Sequence, residues 1–189
     1  MKHKLAIFDL DGTLFDTKNV NYMSYKYALN KCGFNSDMNY EFFRDFCNGN
    51  NYKVFLPKIA AGISEAEMEK VHIVKKEAYA DYLDRAVRND YLFDLIESLH
   101  DDYIIALVTT ASRKNTTDIL DKFGVLTVFD IIITQEDVKN TKPNPECFML
   151  AIEKANVSTS DTIIFEDSDV GIEAARLSGA GYVKVCGYN

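Results

Sequence analysis

Four short apolar runs, rich in branched side chains, recur along the chain: Lys4-Leu5-Ala6-Ile7-Phe8, Tyr103-Ile104-Ile105-Ala106-Leu107-Val108, Phe129-Asp130-Ile131-Ile132-Ile133 and Thr162-Ile163-Ile164-Phe165. They are nearly continuous rather than alternating, so each predicts a strand buried on both faces, the habit of central parallel strands. Helical periodicity occupies residues 91–100, 114–123, 145–155 and 170–178. Strand alternating with helix means βαβ units, and hence an α/β fold with a doubly wound, Rossmann-like parallel sheet covered by helices. The run Tyr182-Val183-Lys184-Val185-Cys186 predicts one more strand.

Residues 17–88 break this rhythm. They hold no strand pattern and predict four helices, near 19–31, 39–47, 53–61 and 65–85. The last opens with Ser64-Glu65-Ala66-Glu67, a capping box that satisfies free N–H groups at a helix start. Tyr22, Tyr25, Tyr27, Phe34, Tyr40, Phe42, Phe43, Phe46, Tyr52 and Phe55 crowd into this block, and their first duty is to pack a small helical core. The predicted organisation is an α/β core of residues 1–16 and 89–189, with residues 17–88 inserted as an all-helical cap over the site.

Composition narrows the partners. A net charge of −8 argues against nucleic acid, which calls for a basic face. It does not argue against a small phosphorylated ligand, because one local cation cluster outweighs the global charge. Cys32, Cys47, Cys147 and Cys186 are scattered, without the spacing of a zinc site or a disulfide framework, and suit a reducing compartment. The apolar stretch at the N-terminus stops at Asp9, short of the roughly 7–15 residues of a signal peptide or about 20 of a membrane helix. The expectation is a cytoplasmic protein with no membrane partner; its oligomeric state is left open.

Ligands of open parallel sheets bind beyond the carboxyl ends of the strands, so the residues that follow each strand are informative. After the first come Asp9-Leu10-Asp11-Gly12-Thr13, after the second Thr109-Thr110-Ala111-Ser112, and after the fourth Glu166-Asp167-Ser168; Lys142 follows the third, in Thr141-Lys142-Pro143-Asn144-Pro145. Acids, hydroxyls and one lysine converge on one rim. In this order they resemble the motifs of the haloacid dehalogenase-like hydrolase superfamily, over nearly the whole chain. The helical insertion is similar to the small cap of its phosphoglycolate phosphatase and β-phosphoglucomutase-like branch.

The resemblance implies a Mg²⁺-dependent phosphomonoester hydrolase acting on a small phosphorylated metabolite. Asp9 is implied as the nucleophile that forms an aspartyl-phosphate, splitting one hard step into two easier ones. Asp11 is implied as general acid, then general base. Thr109 and the Thr110 N–H are implied to hold phosphoryl oxygens, with Lys142 bridging Asp9 and the phosphate. The implied metal ligands are Asp9, the Asp11 carbonyl and Asp167, with Glu166 either a ligand or an acceptor for metal-bound water; the bound cation would keep Asp9 ionised. Gly12 is expected to allow the tight chain exit beneath the site. The second aspartate, Asp11, favours phosphate esters over carbon–halogen or carbon–phosphorus bonds.

Two departures count against a sugar-phosphate mutase. Asn21 stands where that branch carries a histidine, and Tyr52 near its arginine. The loop Asn48-Gly49-Asn50-Asn51-Tyr52-Lys53 is either a polar turn between helices or a substrate contact, with Asn51 and Lys53 as candidate ligands of the leaving group. A mutase sharing the aspartyl-phosphate step and a non-catalytic binding protein are the competing readings. Because the chain stops at Asn189, where relatives add a further strand and helix, one sheet edge is expected to be short or exposed.

Overall fold

The branched runs form strands where the apolar pattern puts them. The computed structural model describes residues 2–35 and 37–188. In chain order, the first elements are β1 (Lys4–Phe8), β2 (Phe15–Asp16), α1 (Lys18–Lys31), α2 (Tyr40–Phe46), α3 (Tyr52–Ile59) and α4 (Glu65–Ala78). A 3-10 stretch, Tyr79–Arg85, leads to β3 (Val87–Arg88), α5 (Asp90–Leu99), β4 (Tyr103–Val108), α6 (Arg113–Lys122) and β5 (Ile131–Ile133). The chain continues with α7 (Glu146–Ala155), β6 (Thr162–Glu166), α8 (Asp169–Ser178) and β7 (Gly181–Lys184).

Contacts divide these elements into two compact units, Met1–Asp16 with Val87–Asn189, and Thr17–Ala86. In the first, five parallel strands run in the order β5-β4-β1-β6-β7. The central strand, β1, therefore has β4 on one side and β6 on the other, and the carboxyl ends of all three lie side by side. One face of the sheet, with Leu5, Ile7, Ala106, Val108, Ile133 and Ile164, packs on Cys147, Phe148, Ala151 and Ile152 of α7 and Ala174 and Ala175 of α8. The alternate residues Ala6, Phe8, Ile105 and Leu107 are as fully buried, and α5 packs against β4. Burial of both faces is the reason these strands read as continuous apolar runs.

The differences from the sequence pattern have local causes. Strand β5 starts at Ile131, because Asp130 turns its carboxylate onto the Ile105 N–H (2.9 Å) and Phe129 tucks in before the strand begins. Strand β7 covers Gly181–Lys184 and is exposed at every residue, as expected of an uncovered sheet edge. The pair β2–β3 is antiparallel and only two residues long on each side, too short to leave a periodic signal.

The Thr17–Ala86 unit is a helical bundle with an aromatic core. Tyr25 meets Phe55 edge-on at 5.0 Å and lies 6.0 Å from Phe43. The Tyr52 ring stacks on His72 at 4.0 Å, and His72 Nδ1 is 3.2 Å from the Tyr25 hydroxyl. The Ser64–Glu67 capping box opens α4. The predicted helix of 65–85 changes pitch at Ala78, continuing as a 3-10 turn. Among the described residues, no helix is long and apolar enough to cross a membrane.

Phe148 ties α7 to the sheet and is fully buried. Phe148→Ala is expected to lower unfolding free energy by about 3–5 kcal/mol, from lost transfer energy plus a cavity. Urea denaturation checks this; a cost below about 1 kcal/mol would show that the core collapses around the gap.

Candidate active site

Asp9 extends β1 by one ladder bond, its N–H donating to the Phe165 carbonyl at 3.0 Å. Its carboxylate therefore starts at the sheet rim, and Asp9 is only 5% exposed. The chain then folds into a tight turn. Leu14 and Phe15 N–H groups donate to the Leu10 carbonyl, and the Gly12 N–H donates to the Phe15 carbonyl at 2.9 Å. Gly12 has φ +97°, and a Cβ there would lie 2.2 Å from the Asp167 carboxylate. Both the conformation and the close approach require glycine. Thr13 donates its hydroxyl to Asp167 Oδ1 at 3.1 Å.

Glu166 is the last residue of β6 and 1% exposed. It accepts from the Ser168 N–H at 2.7 Å and from the Ser168 hydroxyl at 3.0 Å. Ser168 is also the N-cap of α8, taking the Gly171 N–H at 3.0 Å. A Cβ on Gly171 would overlap the Glu166 carboxylate at 1.7 Å, so this helix start fits the acid closely.

Lys142 comes from the segment between β5 and α7. Its Nζ donates to Asp9 Oδ1 at 2.6 Å, to Glu166 Oε1 at 2.9 Å and to the Val108 carbonyl at 3.4 Å. The Phe148 ring centroid lies 4.9 Å from the ammonium. One cation thus joins the ends of β1, β4 and β6.

At the end of β4, Thr109 is buried, its N–H donating to the Ile133 carbonyl and its hydroxyl oxygen accepting the Ala111 N–H at 3.0 Å. The hydroxyl hydrogen stays available to an acceptor. Thr110 is exposed beside it, and Ser112 is the N-cap of α6. Asn51 and Lys53 belong to the helical unit. Asn51 caps α3, accepting the Lys53 N–H at 2.9 Å, and the exposed Lys53 ammonium lies 3.5 Å from Glu65. The Asn51 carbonyl oxygen therefore has a structural task of its own.

The electrostatics follow from burial. It pushes the Asp9 carboxyl well above its ordinary value; Lys142 pulls it down, and Glu166 and Asp11 push it up again. Without a bound cation, then, burial outweighs the lysine at Asp9. Burial also opposes the charge on Lys142, but Asp9 and Glu166 overcome it and hold the ammonium above the usual lysine range. Asp167 is pushed up to about 6 by burial and then by Glu166, with the Thr13 hydroxyl acting the other way.

Ligand atoms of Asp9, Glu166 and Asp167 all lie within 4.8 Å of one another. Three acids gather where a single ammonium, paired with two of them, is the buried counter-charge, so ionising all three would leave negative charge unbalanced, which is why burial holds Asp9 and Asp167 above their ordinary values. Oxygen donors with that imbalance fit a hard divalent cation.

Three residues that shape this cluster were given no role from the sequence: Thr13 and Ser168, named only within their motifs, and Gly171. Ser168 carried a signal, a hydroxyl residue just ahead of a helical pattern, and so did Gly171, a glycine inside one. Thr13 is identified only by its contact across the fold.

Buried acids sharing one ammonium at the carboxyl edge of a parallel sheet mark an enzyme site, since apolar side chains would pack that volume at less cost. Residues 6–185 match the haloacid dehalogenase-like hydrolases, and the chain belongs to that family. It is 27% identical over 180 residues to the fructose-1-phosphate phosphatase YqaB of Escherichia coli (strain K12), covering 95% of this chain and 94% of the relative. A phosphorylated carbohydrates phosphatase of Thermotoga maritima is 27% identical over 182 residues, covering 92% and 81%. The crystal structure of CbbY from Rhodobacter sphaeroides in complex with phosphate shares the fold, with a TM-score of 0.85 at 23% identity, over 98% of this chain and 87% of that one.

A carboxyl whose pKa is higher folded than unfolded stabilises the fold below the unfolded value and loses that contribution as pH rises through the folded value. For Asp167 the window runs from its ordinary value of 3.8 to about 6. In EDTA, Asp167→Asn and wild type are expected to melt together near about pH 4, and the variant about 3 °C or more higher near about pH 7.5. Thermal melts across that range check this; a constant gap would contradict it.

Proposed function

We propose that the protein is a Mg²⁺-dependent phosphatase of a small phosphorylated metabolite, a sugar or polyol phosphate in particular, working through a phosphoryl group carried on Asp9. The observation that carries this reading is the Lys142 ammonium 2.6 Å from Asp9, with Glu166 and Asp167 gathered beside it. The names of the relatives, which act on fructose 1-phosphate and phosphorylated carbohydrates, support the substrate class.

Asp9, Asp167, the Asp11 carbonyl and Glu166, directly or through water, would hold Mg²⁺, which when bound neutralises phosphoryl charge and favours ionised Asp9. Lys142 fixes the Asp9 carboxylate through Oδ1 and adds its own charge next to the phosphoryl group. The Thr109 hydroxyl and Thr110 N–H orient phosphoryl oxygens. An Asp9 oxygen attacks phosphorus as the ester P–O bond breaks, and Asp11 gives its proton to the leaving oxygen. Asp11, now a carboxylate, takes a proton from water as the water oxygen attacks phosphorus. The Asp9–phosphorus bond breaks, releasing inorganic phosphate and restoring Asp9. The helical unit, expected over residues 17–88 and spanning Thr17–Ala86, is assigned the role of cap, with Asn51, the N-cap of α3, and Lys53, in its first turn, as the candidate ligands of the leaving group.

Phosphate release from sugar phosphates, polyol phosphates and p-nitrophenyl phosphate tests the proposal. Turnover is expected to need Mg²⁺, to stop in EDTA and to fall by about 1000-fold or more in Asp9→Asn. Turnover that survives EDTA or that substitution would contradict it.

A further inference from the structure

Past β7 the chain bends back along the carboxyl rim of the sheet. The Val185 N–H donates to the Glu166 carbonyl at 2.8 Å. Gly187, at φ +94°, then takes the left-handed conformation that glycine adopts most easily. Its carbonyl accepts from Asn89 Nδ2 at 3.4 Å, and the Tyr188 hydroxyl donates to the Phe15 carbonyl at 3.3 Å.

These contacts converge on one short segment. The Phe15 carbonyl that receives Tyr188 also receives the Gly12 N–H. Asn89 Nδ2 also donates to the Thr13 carbonyl at 3.1 Å, and the Asn89 N–H donates to the Leu14 carbonyl at 2.9 Å. The turn of residues 11–15 is therefore gripped at consecutive carbonyls from outside itself. This turn carries Asp11, and it sets Gly12 and Thr13 against Asp167. Tyr188 is partly buried, and its phenol is held above the ordinary tyrosine value by burial and then by Asp16, Asp167, Asp11 and Asp9. It thus remains a neutral donor wherever the enzyme works.

We infer that Tyr188 is a positioning residue of the reaction, holding the 11–15 turn through the Phe15 carbonyl so that Asp11 meets the leaving oxygen. The inference rests on the reading of Asp11 as the proton donor. A sugar or polyol leaving group departs as a basic alkoxide and depends on that proton, whereas p-nitrophenolate departs without it. Misplacing Asp11 slightly should therefore hurt one substrate and spare the other.

The test compares kcat/KM, which reports the steps through phosphoryl transfer, for the best alkyl phosphate of the release panel and for p-nitrophenyl phosphate. Tyr188→Phe keeps the ring and deletes only the hydroxyl. It is expected to lower kcat/KM about 10-fold for the alkyl phosphate and less than about 2-fold for the aryl phosphate, with Tm within about 2 °C of wild type. Equal losses on both substrates, or a loss that follows Tm, would reduce Tyr188 to packing and overturn the inference. Asp11→Asn run alongside separates the two ways of failing. If it is selective for the alkyl phosphate and Tyr188→Phe is not, only the role of Tyr188 falls. If Asp11→Asn affects both substrates equally, the proton-donor reading fails and the inference falls with it.

Discussion

The shared ammonium of Lys142 is the constraint around which the site is organised. It lies between Asp9 at the end of β1 and Glu166 at the end of β6, with a third bond to the end of β4. That geometry needs these three strands adjacent and parallel, which is what the β4-β1-β6 order provides. It also needs the chain after β5 to return over the rim, where Phe148 anchors α7 in the core and lies near the lysine. Burying so many charges is costly, and an apolar replacement would do as well or better for stability. The arrangement makes sense as chemistry held ready by the fold.

Steric fit sets the positions of the acids. Gly12 makes room for Asp167 and Gly171 for Glu166, each at a distance where a methyl group would displace the carboxylate. Ser168 both starts α8 and fixes Glu166, so a helix cap and a site contact are one interaction. Thr13 does the same for Asp167 from the opposite segment. Positions held this closely suit a reaction in which small displacements of a proton donor or nucleophile cost rate.

Much of the sheet was legible because burial on both faces leaves an unbroken apolar signature. The runs at β1 and β4 coincide with the observed strands, and β6 gains one residue, Glu166, which accepts from the Lys142 ammonium. The pattern overran at β5, where the Asp130 side chain bonds to the neighbouring strand, and a short pair such as β2–β3 has no period to detect. Nor did anything at Ala78 mark the change of pitch, since Tyr79 and Leu83 keep the four-residue spacing of buried side chains. In the site, Asp9, Glu166 and Asp167 stood out as residues at strand ends, and Lys142 as the lysine of the segment that follows β5. Thr13 and Tyr188 make their contacts with distant segments, which spacing along the chain does not record.

The central claim is that Asp9 itself takes up the phosphoryl group. Adding beryllium and fluoride with Mg²⁺ supplies a mimic of the phosphoryl group that binds a nucleophilic carboxylate, and ¹⁹F NMR reads it directly. The account predicts protein-bound fluorine signals in wild type that are absent in Asp9→Asn. Bound signals that persist in Asp9→Asn, or a wild type that forms none, would contradict it.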